Sequence, residues 1–440
     1  MITNLQIDNF KSLKGLNTNF GLVNFIVGPN AAGKSNFVEA LDFISHAVRE
    51  NLSYAVAEKG GFYNICHRRQ RRARGAIAFS VSAKTATKRS TVYSFTLSFQ
   101  LRTRGEDIRA DFYVASEQLK IALDPVDATA GTLLHADITR EVTEKGREEY
   151  KVRISPEETQ RESLNSVQRG FLGHLQFLER NAAEIIKPEP QNLLLSGLVR
   201  GMAPFGFVNR ELQGVRVFQL NPRLAREPAA PSVHGELGRH GENLASAIDQ
   251  MRLKDETGFK KLATWFKDAV PSFSKVLTEY TDTRQLGLFF EEEGFGSRWF
   301  AEDVSDGTIM SVALFLTLLD KRHKVVVIEE PENCLHPWIL RRFLERCREQ
   351  SSDRQIIITT HSPLAIAQSN VEELYLVERA SGVSTLQKAT EREPDLTKII
   401  KKDLLDLGQY WLSGGLGAVP EAQEIDEPEL FGRPQEDQPK

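Results

Sequence analysis

At 440 residues, with 40% hydrophobic and 26% charged residues and a net charge of −4, the chain has ordinary globular composition but is long for one compact domain, so two or three structural units are expected. The charge balance excludes a generally basic nucleic-acid binder and leaves room for a local basic patch. The three cysteines, Cys66, Cys334 and Cys347, form no C-x-x-C pair, which excludes a disulfide framework or a cysteine-rich zinc site; with no apolar leader in MITNLQIDNFKSLKG and no apolar helical run longer than VALFLTLL at 312–319, a cytoplasmic chain without a membrane span is expected.

In chain order, residues 2–8 (Ile2, Leu5, Ile7) read as a strand, and LVNFIV at 22–27 reads as a buried strand ended by glycine. GPNAAGKS follows at 28–35, and beyond it Phe37, Ala40, Leu41, Ile44 and Val48 recur at helical spacing. Gly28, Gly33, Lys34 and Ser35 fit G-x-x-x-x-G-K-[ST] at the strand–loop–helix junction this motif requires. The glycines let backbone N–H groups turn toward phosphate oxygens, the lysine supplies charge to the outer phosphates, and the serine hydroxyl is a hard ligand for Mg²⁺. The following helix directs its positive end at the same place. Asn30 and Asn36 belong to this nucleotide-binding stretch, and ATP with Mg²⁺ is the expected ligand pair.

HRRQRRAR at 67–74 carries Arg68, Arg69, Arg71, Arg72 and Arg74. It reads either as a contact for nucleic-acid phosphates or an acidic partner, or as a solvated loop edge with Arg69 or Arg71 assisting ATP. From about 75 to 153 the pattern turns to strands: AIAFSVSA, VYSFTLSFQL and EEYKVRI. Residues 156–187 then read as helix through Leu164, Val167, Phe171, Leu175, Leu178, Ala182 and Ile185, and NLLLSGLV follows as a second helical piece. The two read as an inserted helical hairpin or as two packed core helices.

VRVFQ at 215–219 resumes the strands. Helices near 243–253 and 257–268, the strand LGLFFEE, a helix at 307–320, a strand at 324–329, a helix at 338–350 and strands at 355–359 and 373–378 complete an α/β pattern. In KVVVIEEPE a buried strand runs into Glu329 and Glu330. We assign Glu329 to the metal and Glu330 to the attacking water. QIIITTHSP ends another buried strand just before His361, at the sheet edge where ligands bind. In EDVSDGTIMSVALFLTLL a serine–glycine turn opens a helix. Ser305 and Asp306 can be plain caps there, and a hydroxyl, a glycine N–H and a helix N-terminus together can hold an anion. GQYWLSGGLGAVP at 408–420 reads as a docking segment or as a C-terminal cap on the sheet. The last twenty residues, with seven acids, two bases and three prolines, read as a disordered acidic tail.

The order of phosphate loop, serine–glycine turn, Glu329–Glu330 and TTHSP resembles the ABC-type ATPase heads of the RecF, SMC and OLD (overcoming-lysogenization-defect) proteins. IEEPENCLHP is similar to the EEPE…LHP form of OLD-like defence ATPases, and Asn9–Phe10–Lys11–Ser12 and GENL at 241–244 extend the likeness. The resemblance covers roughly residues 1–70 and 215–380. It implies an α/β P-loop NTPase fold: an ABC-ATPase head with a mixed sheet, an added antiparallel β lobe and a short helical insertion. It further implies a head-to-tail homodimer through the ATP sites, with Ser305, Gly307 and Thr308 reaching the partner's γ-phosphate, Lys11 assisting nucleotide binding, and hydrolysis at Glu330 and His361 releasing the pair. Asn333 to His336 stand where the family has its dimer-seam loop. Glu329 stands where many relatives have aspartate, Asp306 where transporters have glycine, and Lys11 where relatives often have arginine. The Q-loop glutamine is not placed by the sequence; Gln70 is the weak candidate. No Toprim-like acidic module follows residue 380.

The expected organisation is residues 1–153 and 215–405 as the two parts of the head, 154–214 as the helical insertion, and 406–440 as docking segment and tail. The expected role is an ATPase controlling a separately encoded effector, with a nuclease the expected class, in antiviral defence or genome maintenance. The rivals are a RecF-like ATPase acting directly on nucleic acid and, further off, a transporter nucleotide-binding subunit. A higher oligomer is left open, and no membrane partner is expected.

Overall fold

The structure, a computed structural model, describes residues 1–67, 75–86, 91–104, 111–125, 134–143, 147–155, 164, 166–185, 189–196, 202–233, 235–294, 296–403 and 406–417. The strands in chain order are β1 (Ile2–Asp8), β2 (Leu16–Asn19), β3 (Val23–Val27), β4 (Ile77–Ala86), β5 (Thr91–Thr103), β6 (Phe112–Pro125), β7 (Leu134–Val142), β8 (Glu148–Ser155), β9 (Val215–Phe218), β10 (Phe273–Tyr280), β11 (Leu286–Glu292), β12 (Arg298–Phe300), β13 (Val325–Glu329), β14 (Gln355–Thr360), β15 (Leu374–Ala380) and β16 (Val383–Lys388).

The central sheet has the order β16-β15-β3-β14-β13-β9. All its pairings are parallel except β15 with β16. Its inner strands β3, β13 and β14 are covered on both faces, so they read as largely apolar runs. Period-two geometry sorts them between two cores. Val325, Val327 and Ile357 face one core with the helix Lys34–Arg49, and Val326, Ile328, Ile356 and Ile358 face the other with Trp265, Phe266, Phe315 and Phe343. The expected mixed-sheet P-loop architecture is what the structure shows.

A second sheet, β2-β1-β4-β5-β6-β7-β8, is antiparallel throughout and packs its apolar face over the helix Lys34–Arg49. This is the added β lobe. A small sheet, β10-β11-β12, precedes the helix Asp306–Leu319.

The segment read as an insertion packs inward. Leu172, Leu175 and Leu178 of the helix Ser166–Ile185 are buried in the lobe's core, so the packed-helix alternative describes it. NLLLSGLV does not form the expected helical piece among the described residues, which give only a three-residue turn at Leu194–Ser196. Leu193, Leu194 and Leu195 are all buried. The helix here is Ala203–Gln213, which lies against Lys34–Arg49. The expected docking segment also turns inward: Leu407, Trp411 and Leu416 are buried in the head's own core, the cap alternative. Residues 418–440 lie outside the described residues. Among the described residues no helix is long and apolar enough to cross a membrane.

Candidate active site

The parallel order β3-β14-β13-β9 sets four strand tips side by side. They carry Gly28–Ser35, His361, Glu329–Glu330 and Gln219 respectively.

The phosphate loop is pressed against β15 and β16. A Cβ on Gly28 would stand 2.4 Å from the Val377 carbonyl oxygen, and one on Gly33, at φ +113°, would stand 2.2 Å from Ser384 Oγ. Only glycine fits either position. Buried Ser384 Oγ lies 2.7 Å from Ser12 Oγ and 2.6 Å from the Ala32 carbonyl, and Asn36 Nδ2 donates to Ser12 Oγ at 2.6 Å. Ser12 and Ser384 thus brace the loop from behind, while Asn30 and Ser35 remain exposed. Lys34 Nζ donates to the Gly28 and Pro29 carbonyls at 2.9 and 3.2 Å and lies 3.5 Å from Glu330 Oε1. Lys11, at φ +49°, pairs with Glu39 on the helix that follows the loop. Burial, then Lys59 and Arg239, lower its pKa.

Glu329 ends β13 with its side chain only 5% exposed. Burial raises its pKa, and Arg239 and the neighbouring Ser35 hydroxyl work against that rise. Ser35 and Glu329 therefore stand together as two hard oxygen donors. This donor pair fits Mg²⁺, which prefers hard oxygen ligands.

Arg239 is the residue that sequence reasoning missed here. Its Nη2 donates to Glu329 Oε1 at 3.3 Å and its Nη1 to Asp42 Oδ2 at 2.9 Å. Lys59 donates to the same Asp42 oxygen at 2.9 Å. Burial works to raise the Asp42 pKa, but His46, Lys59 and Arg239 outweigh it and hold it below the usual range. The loop carrying Arg239 is pinned by Asn243 of GENL, which accepts from Gly238 N–H and donates to the Glu236 carbonyl, both at 2.7 Å. The same loop accepts the Gln219 N–H at the Arg239 carbonyl, 2.9 Å. Ile328 and Phe218 are register partners, so Gln219 emerges beside Glu329. Gln70 lies outside the described residues.

Glu330 has φ +45°, the left-handed region that a non-glycine residue adopts under constraint. Its N–H is fixed to the Thr359 carbonyl at 2.9 Å. From that backbone its carboxylate meets Lys34, Asn333 Nδ2 at 3.2 Å and His361 Nδ1 at 3.4 Å. Glu332, also missed, accepts the Thr360 hydroxyl and the His361 N–H on one oxygen; its other oxygen and His361 Nδ1 are buried without hydrogen-bond partners.

The serine–glycine turn behaves as a cap within its own chain. Ser305 Oγ accepts the Thr308 N–H at 3.2 Å and lies 2.9 Å from Thr308 Oγ1. A Cβ on Gly307 would stand 3.1 Å from the Cys334 carbonyl, so this turn rests on the segment that follows Glu330. Asp306 is paired with Arg226 at 2.5 Å. Arg68, Arg69, Arg71, Arg72 and Arg74 lie outside the described residues.

A family model described as "AAA domain, putative AbiEii toxin, Type IV TA system" matches residues 23–367. The chain is 26% identical over 387 residues to the OLD nuclease of Thermus scotoductus, covering 86% of this chain and 62% of that protein, so it spans under two-thirds of the relative's length. Among solved structures it is similar to an SMC head bound to the C-winged helix domain of ScpA (16% identity, TM-score 0.45, covering 88% of this chain and 96% of that one). It is also similar to the SMC head domain from Thermotoga maritima (13% identity, TM-score 0.38, covering 88% of this chain and 98% of that one). The AAA-domain match and the likeness to an OLD nuclease agree with the OLD-like resemblance read from the motifs.

Proposed function

We propose that this chain, which belongs to the AAA-domain family of putative AbiEii toxins of type IV TA systems, is an ATPase whose two heads close on ATP. The carrying observation is convergence on one atom. Lys34 Nζ and His361 Nδ1 lie 3.5 and 3.4 Å from the same Glu330 Oε1.

The chemistry follows from that geometry. Lys34 exchanges the Gly28 and Pro29 carbonyls for outer phosphate oxygens, and the loop N–H groups take the rest of the charge. Ser35 and Glu329 would hold Mg²⁺, which would add charge neutralisation on the phosphates. With Lys34 withdrawn to phosphate, Glu330 is free to orient a water and accept its proton. His361, whose backbone N–H is held by Glu332 and whose Nδ1 lies 3.4 Å from Glu330 Oε1, serves in this reading as the group that meets the γ-phosphate. General-base assistance of this kind contributes roughly 10²–10⁴-fold.

Ser305, Gly307 and Thr308 offer a hydroxyl pair and a helix N-terminus, the chemistry of an anion site. In this reading they serve a triphosphate bound to a second copy of the chain. ATP then joins two heads and hydrolysis parts them, a switch driven by differential affinity for the closed pair. The longer relative is a nuclease, which supports a separately encoded effector, with a nuclease the expected class, as what the switch controls in a defence or genome-maintenance module. Light scattering on Glu330→Gln with Mg²⁺·ATP tests the switch: the molar mass is expected to double, and an unchanged mass contradicts it.

A further inference from the structure

We propose that Arg226 is the positioning residue that makes the serine–glycine turn fit to receive a phosphate, by neutralising Asp306 and clamping the chain on the turn's approach side. The proposal rests on the paired-head reading above.

The turn presents conflicting charges. Its helix, Asp306–Leu319, is 14 residues long and is capped by Ser305 on the Thr308 N–H, and its N-terminus carries the partial positive charge that attracts anions. Yet its first residue is an acid whose side chain is half exposed. A carboxylate at that position stabilises the helix itself and repels an arriving triphosphate.

Arg226 answers the conflict with three different nitrogens. Nη1 lies 2.5 Å from Asp306 Oδ1, Nε donates to the Ala301 carbonyl at 2.9 Å, and Nη2 donates to the Val304 carbonyl at 2.8 Å. The guanidinium thus spans the turn from the chain before it to the carboxylate after it. Its planar fork allows this; a lysine ammonium, a single point of charge, cannot span the same three acceptors. The Arg226 side chain is 18% exposed, so the pair is screened less than a surface ion pair.

Arg226 is itself anchored to the loop that reaches the metal carboxylate. It ends the short helix Pro222–Arg226, whose cap Asn221 accepts the Arg223 and Leu224 N–H groups. Asn221 N–H in turn donates to the His240 carbonyl at 3.0 Å, next to Arg239 on Glu329. One loop therefore supports the chain's own Glu329 and, through Arg226, the turn offered to a partner.

The test is made in the Glu330→Gln background, reading the Mg²⁺·ATP concentration at which half the protein is paired. Arg226→Ala is expected to raise it about tenfold or more, because it leaves Asp306 unpaired beside the phosphates. Arg226→Ala combined with Asp306→Asn is expected to restore most of the loss, since no carboxylate remains to repel. Arg226→Lys is expected to fall between. Pairing of Arg226→Ala at the parent's ATP concentration overturns the proposal, and so does a double variant no better than Arg226→Ala. The double variant also lacks the arginine, so its recovery separates charge from folding. If the Glu330→Gln parent itself stays single with ATP, the paired-head reading fails and this role fails with it; if the parent pairs, only Arg226 is in question.

Discussion

Glu332 Oε1 accepts the Thr360 hydroxyl at 2.6 Å and the His361 N–H at 2.9 Å, so the tip of β14 is tied to the segment that follows β13. Three glutamates in four residues thus have different partners: Glu329 meets Arg239, Glu330 lies between Lys34 and His361, and Glu332 holds the His361 N–H. Glu332→Ala removes the tie and leaves the buried Thr360 hydroxyl and the part-buried His361 N–H without this acceptor. We expect kcat to fall roughly 10- to 100-fold with KM changed little, because misplacement rather than binding is the defect. Glu332→Gln keeps an acceptor oxygen and is expected to lose far less. Steady-state phosphate release checks both; equal losses in the two variants contradict a positioning role.

The histidine loop is also backed from outside. Gly408 opens the helix Leu407–Leu412, and a Cβ there would stand 2.1 Å from the Pro363 carbonyl, two residues past His361. Gly408→Ala is expected to lever the C-terminal segment off the head at a cost of about 1–3 kcal/mol, the scale of an overpacked contact. Limited proteolysis within 406–417 should quicken and kcat should drop. A variant as resistant as the parent contradicts this packing.

The lobe carries a separate, titratable contribution to stability. Glu117 is buried beside buried Arg140, and burial pushes its pKa up to about 7, against the Leu194 N–H bond and the Arg140 charge. A carboxyl whose folded pKa lies above its unfolded value contributes stability in full below the unfolded value and loses it as pH rises through the folded one. The advantage of Glu117→Gln over the parent in melting temperature should therefore grow from about pH 5 to about pH 8. A difference independent of pH, or one that shrinks, contradicts the assignment.

The strand tips were legible in the sequence because strands buried on both faces are written as apolar runs, so the residues that end them stand out: Ser35 beyond LVNFIV, Glu329 after KVVVI, His361 after QIIITT. The lobe was legible as strands but not as a count. β6 and β7 carry charged residues along their exposed face, and β10 has few buried positions. The helix Ala203–Gln213 was missed because Pro204 and Gly206 mask its period; packing on Lys34–Arg49 makes it. Arg239 and Arg226 were not legible at all. Each acts on a carboxylate distant in the chain, Glu329 and Asp306, and nothing in their neighbourhoods marks that pairing. Glu332 was in view within EEPE, yet its partner Thr360 is assigned only by the register of β13 and β14.

The most direct measurement of the central claim mixes two inactive proteins. Lys34→Ala cannot hold triphosphate in its own loop, and Ser305→Arg blocks the turn it offers to a partner. If each ATP site is built from two chains, a mixed pair contains one site with Lys34 from one copy and Ser305 from the other. The account predicts that mixing restores ATPase activity, up to about a quarter of the parent's for random pairing with independent sites. A mixture as inactive as its components contradicts it.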